Sequence, residues 1–229
     1  MAHPYVMPKL QNTKPNIVTL LGGGAVNIEQ LQRIMCIAPD LIAADGGADY
    51  AHIHEIPVTQ IVGDFDSLTT LQIWQEKGVN LVQLDEQEST DFEKCLYSVA
   101  ADIYLGVGFF GGRLDHTLAS LRSLAAYPEK KVLLIGAEDF TILCPERFSL
   151  EMEAGDPVSL FPMGEVSGLG SSGLKWPIKG LNFSPSGQIG TSNEALGGQM
   201  TIELKGQKML LILSLRYLEA VIDQLSSAL

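Results

Sequence analysis

Four short stretches of this chain concentrate groups suited to holding a polyphosphate and the cation that accompanies it. They are "ADGGA" with Asp45, Gly46 and Gly47, "GDFDSL" with Asp64 and Asp66, "ESTDFEKCL" with Asp91 and Lys94, and "GGRLDH" with Gly112, Arg113, Asp115 and His116. Asp64 and Asp66 stand two positions apart just after a strand. An extended backbone there sends both carboxylates to one face, where they can share a hard cation through oxygen. The structural alternative is a turn in which Asp66 or Ser67 caps a helix starting near Leu68. Gly46 and Gly47 can turn amide N–H groups toward an anion at a helix N-terminus, or simply serve a tight turn. Arg113 offers a bidentate grip on phosphate. Thr90-x-x-Glu93 reads as a capping box, which accounts for those two residues but does not require Asp91 or Lys94. Acids for a metal ion beside Arg and Lys for phosphate are what phosphoryl transfer needs, because its catalysis is chiefly positioning and charge stabilisation.

These groups fall at inferred strand ends. From Asn16 to about Ile135, β-branched runs alternate with helical stretches, and "NIVTLLGGG", "DLIAADGG", "QIVGDFDS" and "ADIYLGVGFFGG" each run into glycine. Strand, glycine turn and helix in repetition predict a mostly parallel α/β sheet, whose ligands sit at the carboxyl ends of the strands. Leu114, Leu118, Leu121 and Ala125 are spaced as one helical face, and Phe92, Cys95, Leu96 and Val99 as the buried stripe of another. Beyond about Arg147 the period changes to two, as in "RFSLEME" and "QMTIELKG". That pattern predicts a small antiparallel β domain, a sandwich or barrel. The expectation is an α/β domain over residues 1–146 and a β domain over 147–229, with a short helix over 217–228. "MLLILSL", Met209 to Leu215, fits an inner sandwich strand or part of a subunit interface. No GxxxxGK[ST] loop occurs, no GxGxxG follows the first strand, and no protein-kinase signature is present.

Composition narrows the function classes. A chain of 229 residues, 46% hydrophobic and 18% charged, is folded and long enough for two domains. Its net charge of −12 argues against a nucleic-acid partner. The opening "MAHPYVMPKLQNTKPN" has no apolar core of a signal peptide, and "MLLILSL" is too short to span a bilayer. Three cysteines without metal spacing point to a reducing compartment. The expected location is the cytoplasm, with no membrane partner.

In this order and spacing the four stretches resemble the thiamine pyrophosphokinase family, and "LKWPIKGLNF" followed by "GTSNEA" strengthens the likeness. It extends from about Asn16 to about Leu215. The resemblance implies transfer of a pyrophosphoryl group from ATP to the hydroxyl of thiamine, giving thiamine diphosphate and AMP. It implies an α/β domain followed by a β-sandwich, in a homodimer with active sites at the subunit interface. By the family's pattern Asp64, Asp66 and Asp91 would hold Mg²⁺, while Asp45, Lys94, Arg113, Asp115 and His116 would shape the triphosphate site. Gln87 would face thiamine, and Trp176 would lie against its rings with Ser192 and Asn193 nearby. An aromatic face attracts a cationic ring, although the phase of Trp176 with Leu174 and Ile178 also fits a core position. Where the family commonly carries Asp two residues before Thr90, this chain has Glu88. Two other readings stay open: a pyrophosphokinase for another alcohol such as a hydroxymethyl-pterin, and a non-catalytic nucleotide- or thiamine-binding module.

Overall fold

The computed structural model describes residues 14–227. Most of the segment read against a signal peptide, and the last residue of the helix expected over 217–228, lie outside them. Eleven elements alternate over the first 135 residues: β1 (Ile17–Leu21), α1 (Ile28–Ile37), β2 (Asp40–Ala44), α2 (Gly46–Ile53), β3 (Gln60–Gly63), α3 (Leu71–Glu76), β4 (Asn80–Gln83), α4 (Asp91–Ser98), β5 (Ile103–Val107), α5 (Leu114–Ala126) and β6 (Lys131–Ile135). Their strands lie parallel in the order β6-β5-β1-β2-β3-β4, with Thr19 of β1 opposite Leu41 on one side and Leu105 on the other. Strands β1, β2, β5 and β6 are almost wholly buried, as helices on both faces require. The chain runs outward from β1 to β4, then returns to place β5 on the other side of β1. That reversal is a topological switch point, and it opens a crevice at the carboxyl ends of β1 and β5.

Helix starts follow local chemistry. Thr90 caps α4 by accepting from the Glu93 N–H, while the Glu93 carboxylate accepts from the Thr90 N–H at 3.1 Å, so the capping box is complete. Helix α3 begins at Leu71 rather than near Leu68, and neither Asp66 nor Ser67 caps it; the N-cap is Thr70. On α5, Leu124 is buried but Leu114 and Leu118 are 71% and 57% exposed. The apolar face read from the sequence is therefore covered only in its second half, because the first turns stand above the strand ends where the described residues supply no cover.

The second half is antiparallel, yet half of its strands continue the first sheet. Its strands are β7 (Asp139–Leu143), β8 (Arg147–Met152), β9 (Pro157–Pro162), β10 (Val166–Ser172), β11 (Asn182–Phe183), β12 (Gly190–Glu194), β13 (Gly198–Lys205) and β14 (Met209–Ser214), before helix α6 (Leu218–Ser227). One sheet of ten strands runs β12-β9-β14-β7-β6-β5-β1-β2-β3-β4, and a second runs β11-β10-β13-β8. "MLLILSL" is thus an interior strand, held between β7 and β9. The period-two runs pair as β8 and β13, with Leu150 opposite Met200 and Phe148 opposite Ile202, all four buried. These residues share one hydrophobic cluster with Phe140, Leu160 and Leu211 of the long sheet, which makes the sandwich core.

Candidate active site

The crevice at the switch point is a cavity of ≈580 Å³, lined by the glycines after β1 and by residues following β2, β3, β4 and β5. The loops meet at backbone distance. A Cβ on Gly47 would stand 2.1 Å from the Leu21 carbonyl oxygen, so only glycine lets α2 start beside β1. Asp45, just before it, has φ 26° and ψ −101°, a conformation non-glycine residues adopt at a cost on the order of 1–3 kcal/mol. Its side chain makes no cap bond to α2. Its Oδ2 accepts from the Ser67 hydroxyl at 2.5 Å, while Oδ1 is buried and has no partner.

Asp64 and Asp66 do share a face with it, by a different route from the extended backbone expected. Strand β3 stops at Gly63, and Phe65 takes φ 65°, with its ring packed on the core. The left-handed step folds the chain so that the Asp66 N–H donates to Asp64 Oδ1 at 3.3 Å. Carboxylate oxygens of Asp45, Asp64 and Asp66 all lie within 4.8 Å of one another. Such a group of oxygens suits a hard divalent cation.

Helix α4 delivers the counter-charge. Lys94, off the apolar stripe, is nonetheless 2% exposed, with Nζ 3.0 Å from Asp64 Oδ2 and 3.4 Å from Asp91 Oδ1. Burial alone would lower its pKa; the bonds to the two carboxylates more than offset that and leave it raised. The Lys94 bond holds the Asp64 carboxyl below its usual value. Burial, with Asp64 and Asp66 adding to it, pushes Asp91 up despite Lys94. Burial likewise raises Asp45, against the Ser67 bond and with the charges of Asp91, Asp64 and Asp66 adding to it. Gln87 donates to Asp64 Oδ2 at 3.2 Å.

Across the cavity stand Gly112, Arg113 and His116 at the start of α5. Gly112 has φ 72°, which lets the loop turn into the helix. Arg113 is paired in bidentate fashion with Asp115, Nη2 to Oδ2 at 2.5 Å and Nε to Oδ1 at 3.1 Å, and both are exposed. Asp115 serves here as the resting partner of Arg113. Ser67, read from the sequence only as a possible cap, instead holds the most buried aspartate, and its position directly after Asp66 is the one signal it carried.

Trp176, Ser192 and Asn193 lie elsewhere. Trp176 is 53% exposed between buried Leu174 and Ile178, so it is not a core residue. It lines a separate cavity of ≈400 Å³ with Ile189 and Asn193. Asn193 spends its amide on architecture: Oδ1 accepts from the Trp176 N–H at 3.1 Å and the Glu194 N–H at 2.8 Å, while Nδ2 donates to the Trp176 carbonyl at 2.7 Å. Ser192, at φ 62°, sits where the β12–β9 register shifts, and its N–H donates to Ser159 Oγ at 3.0 Å.

Comparison with known proteins gives two matches along the chain. Residues 31–135 match the model of the thiamin pyrophosphokinase catalytic domain, and residues 141–209 match that of the thiamin pyrophosphokinase vitamin B1 binding domain. The chain belongs to the thiamin pyrophosphokinase family. Thiamine pyrophosphokinase 2 of Arabidopsis thaliana is 27% identical over 195 residues, 71% of this chain and 73% of its own length. Thiamine pyrophosphokinase 1 of the same plant is 27% identical over 161 residues, 62% of this chain and 60% of that one. The fold is that of yeast thiamin pyrophosphokinase, at TM-score 0.77 and 19% identity, over 89% of this chain and 87% of that one. The Bacillus subtilis thiamine pyrophosphokinase structure gives TM-score 0.71 at 22% identity, over 86% and 98%. Within this family member the catalytic-domain match spans Asp45 to His116 and the second match spans Trp176 to Asn193. Strand β1 and Gly22 to Gly24, which line the cleft, lie ahead of both.

Proposed function

We propose that this chain is a thiamine pyrophosphokinase, transferring the pyrophosphoryl group of ATP to the hydroxyl of thiamine and releasing AMP. The observation that carries this reading is the cleft in which three clustered aspartates face one buried lysine. Asp45 Oδ1, buried without a partner, is an acceptor awaiting a donor or a cation, and the all-carboxylate set fits magnesium. Asp45, Asp64 and Asp66 would hold the ion, Asp45 replacing the Asp91 of the expected set because the clustered oxygens are those of Asp45, Asp64 and Asp66; Asp91 is then the adjoining acid. A bound magnesium ion would offset the charge of the phosphates.

In the reaction the thiamine hydroxyl oxygen forms a bond to the β-phosphorus of ATP as the bond from that phosphorus to the AMP oxygen breaks. Asp91 would accept the hydroxyl proton, a role supported by the burial that raises its pKa above that of an ordinary carboxylate. Lys94 stabilises charge on the transferred group. Arg113 reaches phosphate once it exchanges Asp115 for it, a swap between two bidentate anions. Gly46, Gly47 and His116 complete the phosphate side of the cleft.

The thiamine side is supplied by Gln87 and by a second copy of the chain. In one chain the cleft opens beside β1 while Trp176 and β12 lie at the far edge of the sheet, six strand spacings away, on the order of 30 Å at ~4.8 Å per spacing. No molecule of thiamine's size bridges that. A homodimer that lays the Trp176 cavity of one subunit over the cleft of its partner closes the site, and it would also cover Leu114 and Leu118. Two buried cysteines and one exposed, all free, accord with a reducing cytoplasm. Among the described residues no helix is long and apolar enough to cross a membrane.

The deciding experiment follows AMP and thiamine diphosphate together in the presence of ATP, Mg²⁺ and thiamine, with Asp91→Asn alongside. Equal formation of both, reduced roughly a thousandfold in the variant, supports the reading. Thiamine bound without either product refutes the enzyme.

A further inference from the structure

The loop joining β4 to α4 is tied down far more firmly than an exposed acidic loop needs. At its centre the Glu86 carboxylate gathers four donors. These are the backbone N–H groups of Glu88 and Ser89, both at 3.0 Å, the Ser89 hydroxyl, and the Tyr97 hydroxyl at 2.5 Å. The two hydroxyls also stand 3.4 Å from each other. Tyr97 comes from the second turn of α4, so the carboxylate joins the loop to the helix that follows it. The bonds from Ser89 and Tyr97 hold Glu86 at about 2, well below its usual 4.5.

The residue type matters. Every group facing Glu86 is a donor, and a carboxylate is the one side chain of this length that only accepts, at two oxygens. Glutamine would put an NH₂ against donors. Neither Glu86 nor Tyr97 lines the cleft, but Gln87, Ser89, Thr90 and Asp91 do. One flank of the loop is pinned where the Leu84 N–H donates to the Gly63 carbonyl at 2.8 Å, and the other by the Thr90 capping box. Between those pins, Glu86 is what sets the backbone that carries Gln87 to Asp64.

We infer that Glu86 and Tyr97 are positioning residues for the acceptor side of the site, holding the 84–90 loop so that Gln87 stays against Asp64 at the mouth of the cleft. The inference rests on the function proposed above and deepens it.

The test uses Glu86→Gln, Tyr97→Phe and the double variant of the full chain, read by amide hydrogen exchange of the 84–90 segment and by steady-state kinetics. Glu86→Gln is expected to speed exchange in that segment by about tenfold, as loss of one or two net hydrogen bonds implies. The KM for thiamine should rise about tenfold, with kcat and the KM for ATP changed less than about threefold, because the misplaced contact is a binding one. Tyr97→Phe should move the same readouts less, and the double variant should be no worse than Glu86→Gln, since both cut one network. Unchanged exchange in Glu86→Gln overturns the inference. So does faster exchange with an unmoved KM for thiamine, which makes the network merely structural, or strict additivity of the two substitutions. A wild-type chain that makes no thiamine diphosphate overturns the functional reading first. A wild-type chain that turns over beside a Glu86→Gln with normal KM overturns this inference alone.

Discussion

Replacing Asp45 by Asn should make the metal-free protein more stable while removing its chemistry. Asp45 is 3% exposed, and its oxygens lie within 4.8 Å of those of Asp64 and Asp66. At that 4.8 Å separation and an effective dielectric of about 20, each like-charge pair repels by about 3.5 kcal/mol. Lys94, 3.0 Å from Asp64 and 3.4 Å from Asp91, offsets much of this, leaving roughly 1–3 kcal/mol of net strain to be relieved. Asparagine keeps an acceptor for Ser67 and puts an NH₂ where Oδ1 now has no partner, facing two carboxylates. For a chain of this length each kcal/mol moves Tm by about 2–4 °C, so the variant in EDTA should melt roughly 2–12 °C above wild type. Magnesium at a hundredfold over its Kd adds about 2.7 kcal/mol to wild type, and it should add little to the variant. Turnover should fall by roughly three orders of magnitude. Calorimetry of both proteins in EDTA and in Mg²⁺ measures all but the last. A variant less stable than wild type in EDTA, or one gaining as much from Mg²⁺, would refute the electrostatic reasoning and the place of Asp45 in the cluster.

Further outcomes follow from the same geometry. Trp176→Ala should raise the KM for thiamine by about 2–30-fold, the loss of a cation–π contact worth about 0.5–2 kcal/mol, with the KM for ATP unmoved. Mixing Asp64→Asn with Trp176→Ala under conditions of subunit exchange should restore up to about a quarter of wild-type activity at low thiamine, because half the dimers are mixed and each carries one intact site; no recovery would place the whole site within one chain. The folded state holds Glu86 at about 2 against a usual 4.5, so its contribution to stability is complete above pH 4.5 and is lost as pH falls toward 2. The Tm difference between wild type and Glu86→Gln should therefore stay constant above pH 4.5 and close below it, in a melting series across that range.

What the sequence makes readable here is what depends on near neighbours. Strand, glycine and helix recur at the switch point because parallel units carry their own signals, and the Thr90–Glu93 capping box formed as its spacing implies. Pairing across distance left no such mark. Nothing in "MLLILSL" says that β14 will lie beside β7 and prolong the catalytic sheet, since antiparallel partners are chosen by the whole sheet. The backbone step at Phe65 was equally hidden, because a left-handed residue other than glycine has no compositional signature. Trp176 shared its phase with two core residues, but it lies in a bend beyond the isolated Leu174 bridge and not in a strand, so the two-residue alternation does not hold there. Exposure of Leu114 and Leu118 could not be read at all, for helical periodicity reports that a face is apolar and not what will cover it.

The ten-stranded sheet also bears on how the protein is made. Strand β7 is bonded to β6 on one side and to β14 on the other, and β14 is synthesised some sixty-five residues later. Until it emerges, β7 presents an open edge that carries Phe140 and Ile142, of the kind that recruits other chains. A fragment ending near residue 146 would keep that edge permanently and should aggregate rather than fold as a free-standing phosphate-binding unit. The edge of the first half is therefore covered only after nearly the whole chain has been synthesised, because its covering strand is almost the last one made.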